Sequence, residues 1–184
     1  MNLLSSKPYK AFTLIESLVA IAVGLLIIAA TLTTFSVSRK AFASLSNRAE
    51  IVQNSRIAFE RIGRDLKQAL LIVTTLPASQ IEFQDGHDTS SINYIRYFTQ
   101  NGGLYREFAY YAFPALPDAH VLFDELDGQG NLPQKFVLQS ELVAEYINIL
   151  TISASGNLLN IDLGATKGTT TLQIFTTIFA RNIP

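Results

Sequence analysis

The strongest constraint on this chain is an apolar run near its N-terminus. From Leu14 to Leu32 the only charged side chain is that of Glu16. About 20 predominantly apolar residues in a helix cross the hydrocarbon core of a bilayer, and counted from Phe12 this run is long enough to do so. Hydrophobic content is 48 % and charged content 16 %, apolar for a soluble protein, and the excess is concentrated in this segment. With the run set aside, the rest of the 184 residues is the size of one ordinary domain.

Three readings of the N-terminus compete. As a secretory signal, the run would serve as the apolar region, with a cut after Ala43 in the small-x-small sequence Ala41-Phe42-Ala43. The run exceeds the usual length of about 7–15 residues, and Arg39 and Lys40 crowd that cut. A plain membrane anchor explains the length but not Glu16, because a charge at mid-bilayer costs about 2.5–3.5 kcal/mol. That cost falls if Glu16 lies near the interface.

The third reading accounts for Glu16 and for what precedes it. Met1 to Lys10 is short and polar, and Lys10-Ala11-Phe12-Thr13-Leu14-Ile15-Glu16 follows. This resembles the prepilin signature of type IV pilin-like proteins: a basic leader, a small residue, a Phe-like residue, and Glu as fifth residue of the mature chain. The resemblance implies that a membrane prepilin peptidase cuts between Ala11 and Phe12 and methylates the new amine of Phe12. It implies that Glu16 then faces the positive N-terminus of a neighbouring subunit in a filament. Two charges, each costly alone in lipid, neutralise one another when subunits stack. The sequence departs from the family at Ala11, where Gly is usual, but keeps a small residue. Lys7 and Lys10 are matched by Arg39 and Lys40 beyond the run, so the leader resemblance rather than the charge count puts the N-terminus in the cytoplasm. The expected organisation is a leader at 1–11, a transmembrane helix at 12–38, and an extracytoplasmic head at 39–184.

No proline lies between Pro8 and Pro77. Ile51, Ser55, Ala58, Ile62, Leu66 and Ala69 recur at three- or four-residue spacing, which predicts one face of an amphipathic helix. Helical from Phe12 to about Leu71, the span and stem would form a rod roughly 90 Å long. Arg56–Glu60, Glu60–Arg64 and Arg61–Asp65 are i,i+4 pairs that read as aids to solvation and helicity. The stretch Gln53 to Ala69 also resembles the stem of J-type minor pseudopilins of type II secretion and of W-type minor pilins.

After Pro77 the period becomes two. Gln80–Asp85 alternates, and Ser91–Gln100 and Leu104–Phe113 flank Asn101-Gly102-Gly103 as a hairpin. An Asn-Gly turn there sets Arg96 opposite Glu107. Pro114 to Pro133 reads as a long loop, and Ser140–Tyr146 as a short helix. Strands follow at 147–153, 158–163 and 169–180, with turns at 154–157 and 164–168. Such short turns demand antiparallel pairing. The expected fold is therefore α+β and pilin-like, a long N-terminal helix packed on an antiparallel sheet.

Little in the head points to chemistry. There is no cysteine, which excludes disulfides, thiolate sites and thiol nucleophiles. Asp124, Asp127 and Asn131 offer oxygens to calcium, but their spacing misses the EF-hand pattern and turn formation is the simpler reading. His87 and His120 lie in neither a metal-ligand nor a nucleophile-elbow spacing and read as loop residues. Tyr94, Tyr97, Tyr105, Tyr110 and Tyr111 read as cross-strand packing before they read as a binding surface. Charge is uneven along the chain. From Arg39 to Lys67 seven basic residues face three acidic ones, and from Leu70 onward five face eleven. That asymmetry suits pairing between neighbouring subunits as well as a solvated helix face, and does not favour nucleic acid.

The sequence thus predicts a minor pseudopilin or pilin rather than an enzyme. The partners implied are the prepilin peptidase, other pilins or pseudopilins in a filament tip, an inner-membrane platform and the lipid bilayer. A type IV pilus role, a membrane-tethered binding protein and a membrane-tethered enzyme are the alternatives.

Overall fold

The computed structural model describes residues 12–87 and 90–179. The chain divides into two compact units, Met1–Ala43 and Ser44–Pro184.

Helix α1 is Leu14–Gln68, 55 residues without a break. The absence of proline over this length permits that continuity. Lys67 in its last turn suits the negative end of the helix dipole. In the first unit the large apolar side chains of α1 are exposed: Leu18, Leu25, Leu26 and Ile28 are each more than half accessible. The helix is long and apolar enough to cross a membrane, and the apolar window that qualifies it has none of its residues buried in the protein.

In the second unit the helix buries one face. Ile51, Ser55, Ala58, Ile62 and Leu66 are buried at the three- and four-residue spacing that the sequence carries. They cover two antiparallel sheets. The first has six strands: β1 (Leu71–Ile72), β2 (Gln80–Gln84), β3 (Tyr94–Gln100), β4 (Gly103–Phe113), β5 (Leu116–Val121) and β6 (Gln134–Glu145). The second comprises β7 (Ile147–Ser155), β8 (Leu158–Lys167) and β9 (Thr170–Phe179) in that order. The helix residues join Ile81, Phe83, Ile95, Tyr97, Leu104, Ile152, Ile161 and Leu163 in one buried cluster, so both sheets share a core.

The expected hairpin is present: Asn101 and Gly102 have φ of 49° and 74°, and Gln100 pairs with Gly103. Positive φ at both central residues is the primed turn that matches strand twist. Its register sets Arg96 opposite Glu107, as anticipated. The strands expected at Gln80–Asp85 and in the C-terminal third are also present.

Three local expectations are overturned. The helix expected at Ser140–Tyr146 is the end of β6, which pairs with β4 from Ala112 to Gly103. Two register shifts let this twelve-residue strand follow β4, and a long unpaired edge outweighs the modest helix propensity of Glu141-Leu-Val-Ala-Glu145. The loop expected over Pro114–Pro133 contains β5. Because β6 occupies one edge of β4 and β3 most of the other, β5 pairs with β4 beyond the end of β3. It is an edge strand, which tolerates Pro117. Finally, β8 continues through Gly164 to Lys167, so the turn expected at 164–168 reduces to Gly168-Thr169, with Gly168 at φ 58°.

Candidate assembly site

The first turn of α1 is closed by its own side chains. Thr13 stands immediately before Leu14, and its backbone N–H donates to Glu16 Oε2 at 2.9 Å. Its hydroxyl donates to the same oxygen at 3.0 Å, and the Glu16 N–H donates back to Thr13 Oγ1 at 3.3 Å. This is a reciprocal capping box, which satisfies amide groups that no helical carbonyl can reach. The signal is present in the sequence as Thr-x-x-Glu ahead of an apolar run, where it overlaps the processing motif.

Glu16 is exposed and shares a helix face with Phe12, Ile15, Val19 and Val23, and Phe12 is 81 % exposed. Ala11, the small residue ahead of the expected cut, lies outside the described residues. A carboxylate on an otherwise apolar, exposed face has a clear chemical capacity: it can pair with one cation brought to it by another molecule.

The head offers a different kind of polar centre, which sequence reasoning missed. Asp65 is 2 % exposed and accepts hydrogen bonds from Tyr97 Oη and Arg106 Nε, both at 2.8 Å on Oδ2. Arg61 Nε lies 3.9 Å from Oδ2 and Arg64 Nε 3.7 Å from Oδ1. Arg61 also pairs with Glu141 at 3.2 Å. Burial pushes the Tyr97 phenol well above its ordinary value, and the Asp65 carboxylate adds to that. The Arg61–Asp65 pair read as a solvated helix contact thus has its carboxylate in the interior, while the Arg61 side chain stays 36 % exposed. Asp65 follows Ile62 by three residues, and that spacing marked it as facing the core.

The other residues singled out from the sequence do not converge on one another. Asp127 closes its own turn: Oδ1 accepts from Gln129 N and Asn131 N, each at 2.8 Å, and Oδ2 from Asn131 Nδ2 at 3.0 Å. Those bonds, the Asn131 side chain first, hold its carboxyl below the ordinary value. Among the described residues no group of three or more His, Asp or Glu side chains is placed to hold a metal ion. His87 sits in the bend after β2 with Nδ1 against Asp85 Oδ1. His120, read as a loop residue, belongs to β5 and stacks on Tyr110 with centroids 4.0 Å apart. Tyr94 and Tyr97 are fully buried, and Tyr94 meets Tyr111 edge-on at 4.9 Å, which is packing rather than a binding surface.

Residues 6–32 match the family described as the prokaryotic N-terminal methylation motif. Neither a curated protein nor a solved structure matches the chain. The matched residues include Phe12, Thr13 and Glu16, and the helix that begins there ends against antiparallel sheets. The chain thus carries the prepilin-type methylation motif over residues 6–32, and its long apolar helix on antiparallel sheets is the α+β arrangement that its resemblance to type IV pilin-like proteins implied.

Proposed function

We propose that the chain is a minor pseudopilin of a type II secretion filament, a structural subunit rather than an enzyme. The prepilin peptidase cuts it between Ala11 and Phe12 and methylates the Phe12 amine. It is then held in the inner membrane by residues 12–38, with its head outside the cytoplasm. Glu16 receives the charged amine of an adjacent subunit as the helices stack, an exchange favoured because each charge is costly alone in lipid. The observation that carries this reading is the methylation motif on an exposed apolar helix that presents Glu16 beside Phe12. The secretion branch rests on the likeness of the stem from Gln53 to Ala69 to J-type minor pseudopilins, a likeness the stem shares with W-type minor pilins. Calcium has no part in the proposal, since the Asp127 carboxylate is engaged by its own turn.

Mass spectrometry of the N-terminus, with and without co-expressed prepilin peptidase, tests the central step. A chain starting at Phe12 with one added methyl group is expected. A start at Met1 in the presence of active peptidase, or at Ser44, overturns it. The branch is tested by crosslinking in cells: recovery with pseudopilins supports it, and recovery with pilus subunits alone rejects it.

A further inference from the structure

Strand β9 is an edge that lacks the protection found on the other edges of the head. Among the described residues it pairs with β8 alone. Charge, proline, bulges, shortness and cover are the devices that keep a further strand from adding to an edge. The other edges use them: β1 has two residues, β5 carries Pro117 and Asp118, β6 carries Lys135 and Glu141, and β7 is bridged to Ala78. Thr170–Phe179 has no charged residue and no proline, and its register with β8 runs without a bulge from Thr170 to Phe179. Phe175 and Phe179 are 82 % and 59 % exposed on it.

Beside this edge, between β9 and the last turns of α1, lies an open groove of about 660 Å3. Thr176, Thr177, Ile178 and Phe179, four consecutive residues, line its strand side. Successive side chains of a strand point to opposite faces of its sheet, so a groove lined by four in a row opens on the edge itself. Phe59 and Gly63 line the helix side. Gly63 keeps that side low, since a Cβ there would stand 3.3 Å from Ile178 Cδ1.

The chemistry of the edge specifies what covers it. A row of N–H and C=O groups at strand spacing is satisfied by another extended backbone, and specificity then comes from pockets for alternate side chains. The groove is such a pocket, apolar at Phe59 and Ile178. Of the charged groups around it, Glu60 is paired with Arg56 at 2.8 Å and Arg64 lies 3.7 Å from buried Asp65. Lys67 is exposed and has no ion-pair partner among the described residues, so it calls for an acid on the incoming segment.

We propose that the β9 edge receives an extended segment of a different pilin-like subunit, which adds a fourth strand to the three-stranded sheet. Apolar side chains at alternate positions of that segment enter the groove against Phe59 and Ile178, and an acidic residue meets Lys67. One unprotected edge accepts one partner, as suits a minor subunit among unlike neighbours. The inference rests on that reading and names the surface by which the subunit joins its neighbour.

The test uses the full-length chain in membranes with the prepilin peptidase, co-expressed with the other pilin-like subunits of the same filament, each separately tagged. A photoreactive phenylalanine analogue replaces Phe179, keeping an aromatic ring at an exposed position. Irradiation is expected to join the chain to one tagged subunit, within an extended segment of alternating apolar residues. Thr177 is exposed, so substitution there should not disturb the fold. Thr177→Lys should lower the yield about tenfold, because an added strand would cover the new charge, and Thr177→Val should leave it unchanged. Absence of the product in inserted, protease-resistant chains overturns the contact, as does a yield indifferent to Thr177→Lys. Joining to a helical segment, to a second copy of this chain or to residues 180–184 of the same chain overturns it too. N-terminal masses from the same membranes separate the two ideas. A mature start at Phe12 without the product rejects this contact and leaves the function standing. The product in chains still starting at Met1 supports the contact and rejects the processing.

Discussion

Asp65 holds together the helix and the first sheet through Tyr97 and Arg106, which come from adjacent strands and share one of its oxygens. Its worth lies less in attraction than in what removal would leave behind. Arg106 has a side chain only 12 % exposed, and loss of Asp65 would leave this largely buried cation only the more distant Glu141 carboxylate, 3.6 Å away. Breaking such a pair from one side costs about 3–5 kcal/mol, whereas losing one hydrogen bond costs about 1–2 kcal/mol. Asp65→Asn is therefore expected to lower the denaturation midpoint much more than Tyr97→Phe, as urea titrations of the detergent-solubilised chain followed by circular dichroism would read. A second ionic centre gives a pH dependence. Glu107 lies between Arg96 at 2.8 Å and Lys135 at 2.7 Å. Burial pushes its carboxyl up, but Lys135 and Arg96 together outweigh burial and hold it below its ordinary value. A carboxyl lower in the folded than in the unfolded chain contributes stability above the unfolded value of about 4.3, and loses it as pH falls through the folded value. Stability should thus decline below about pH 4, and Glu107→Gln should flatten that decline in midpoints recorded across acid pH. An equal slope in both proteins would assign the acid limb to other groups.

The elements of this fold were legible where a local rule had no competitor. Asn101-Gly102 closes its hairpin because those residues accept left-handed backbone, and the register followed from the turn alone. The buried stripe from Ile51 to Leu66 was legible because its period was unbroken. Strand β6 was not, since Ser140–Glu145 shows no strict alternation and its conformation is set by β4, some 35 residues distant in sequence. The capping box was written in the sequence but was masked by a second reading of the same Glu16. Asp65 was hidden by its charge, although its helix position marked it as interior. Two glycines test the element scale. Gly86 lies against the end of α1, where a Cβ would stand 2.0 Å from the Gln68 carbonyl oxygen. Backbone cannot give way as a side chain does, so Gly86→Ala must displace the segment after β2 from the helix end. At Gly102 a Cβ meets nothing within 4 Å, and only its left-handed backbone objects. Gly102→Ala should cost about 1–2 kcal/mol. Gly86→Ala should cost more, and should speed amide exchange at Leu70, which donates to the Gln84 carbonyl at 3.1 Å.

For the whole molecule, Glu16 has two separable roles. Within one chain its carboxylate closes the first turn of α1 with Thr13. Between chains, on the proposed function, it meets the Phe12 amine of a neighbour. The two demands compete for the same oxygens, and substitutions divide them because capping needs only an acceptor whereas pairing needs a charge. Glu16→Gln keeps an acceptor at the third helical position and so keeps the box, but presents no anion. Thr13→Ala breaks the box at a cost of about 1 kcal/mol to an isolated helix end and leaves the anion in place. If assembly depends on the charge, Glu16→Gln chains should be cut at Phe12 and accumulate in the membrane without entering filaments, while Thr13→Ala chains should enter them. Shearing filaments from the cells and measuring the fraction of mature chain they contain reads both results. The opposite ranking, with Thr13→Ala excluded and Glu16→Gln incorporated, would assign Glu16 to the helix end alone.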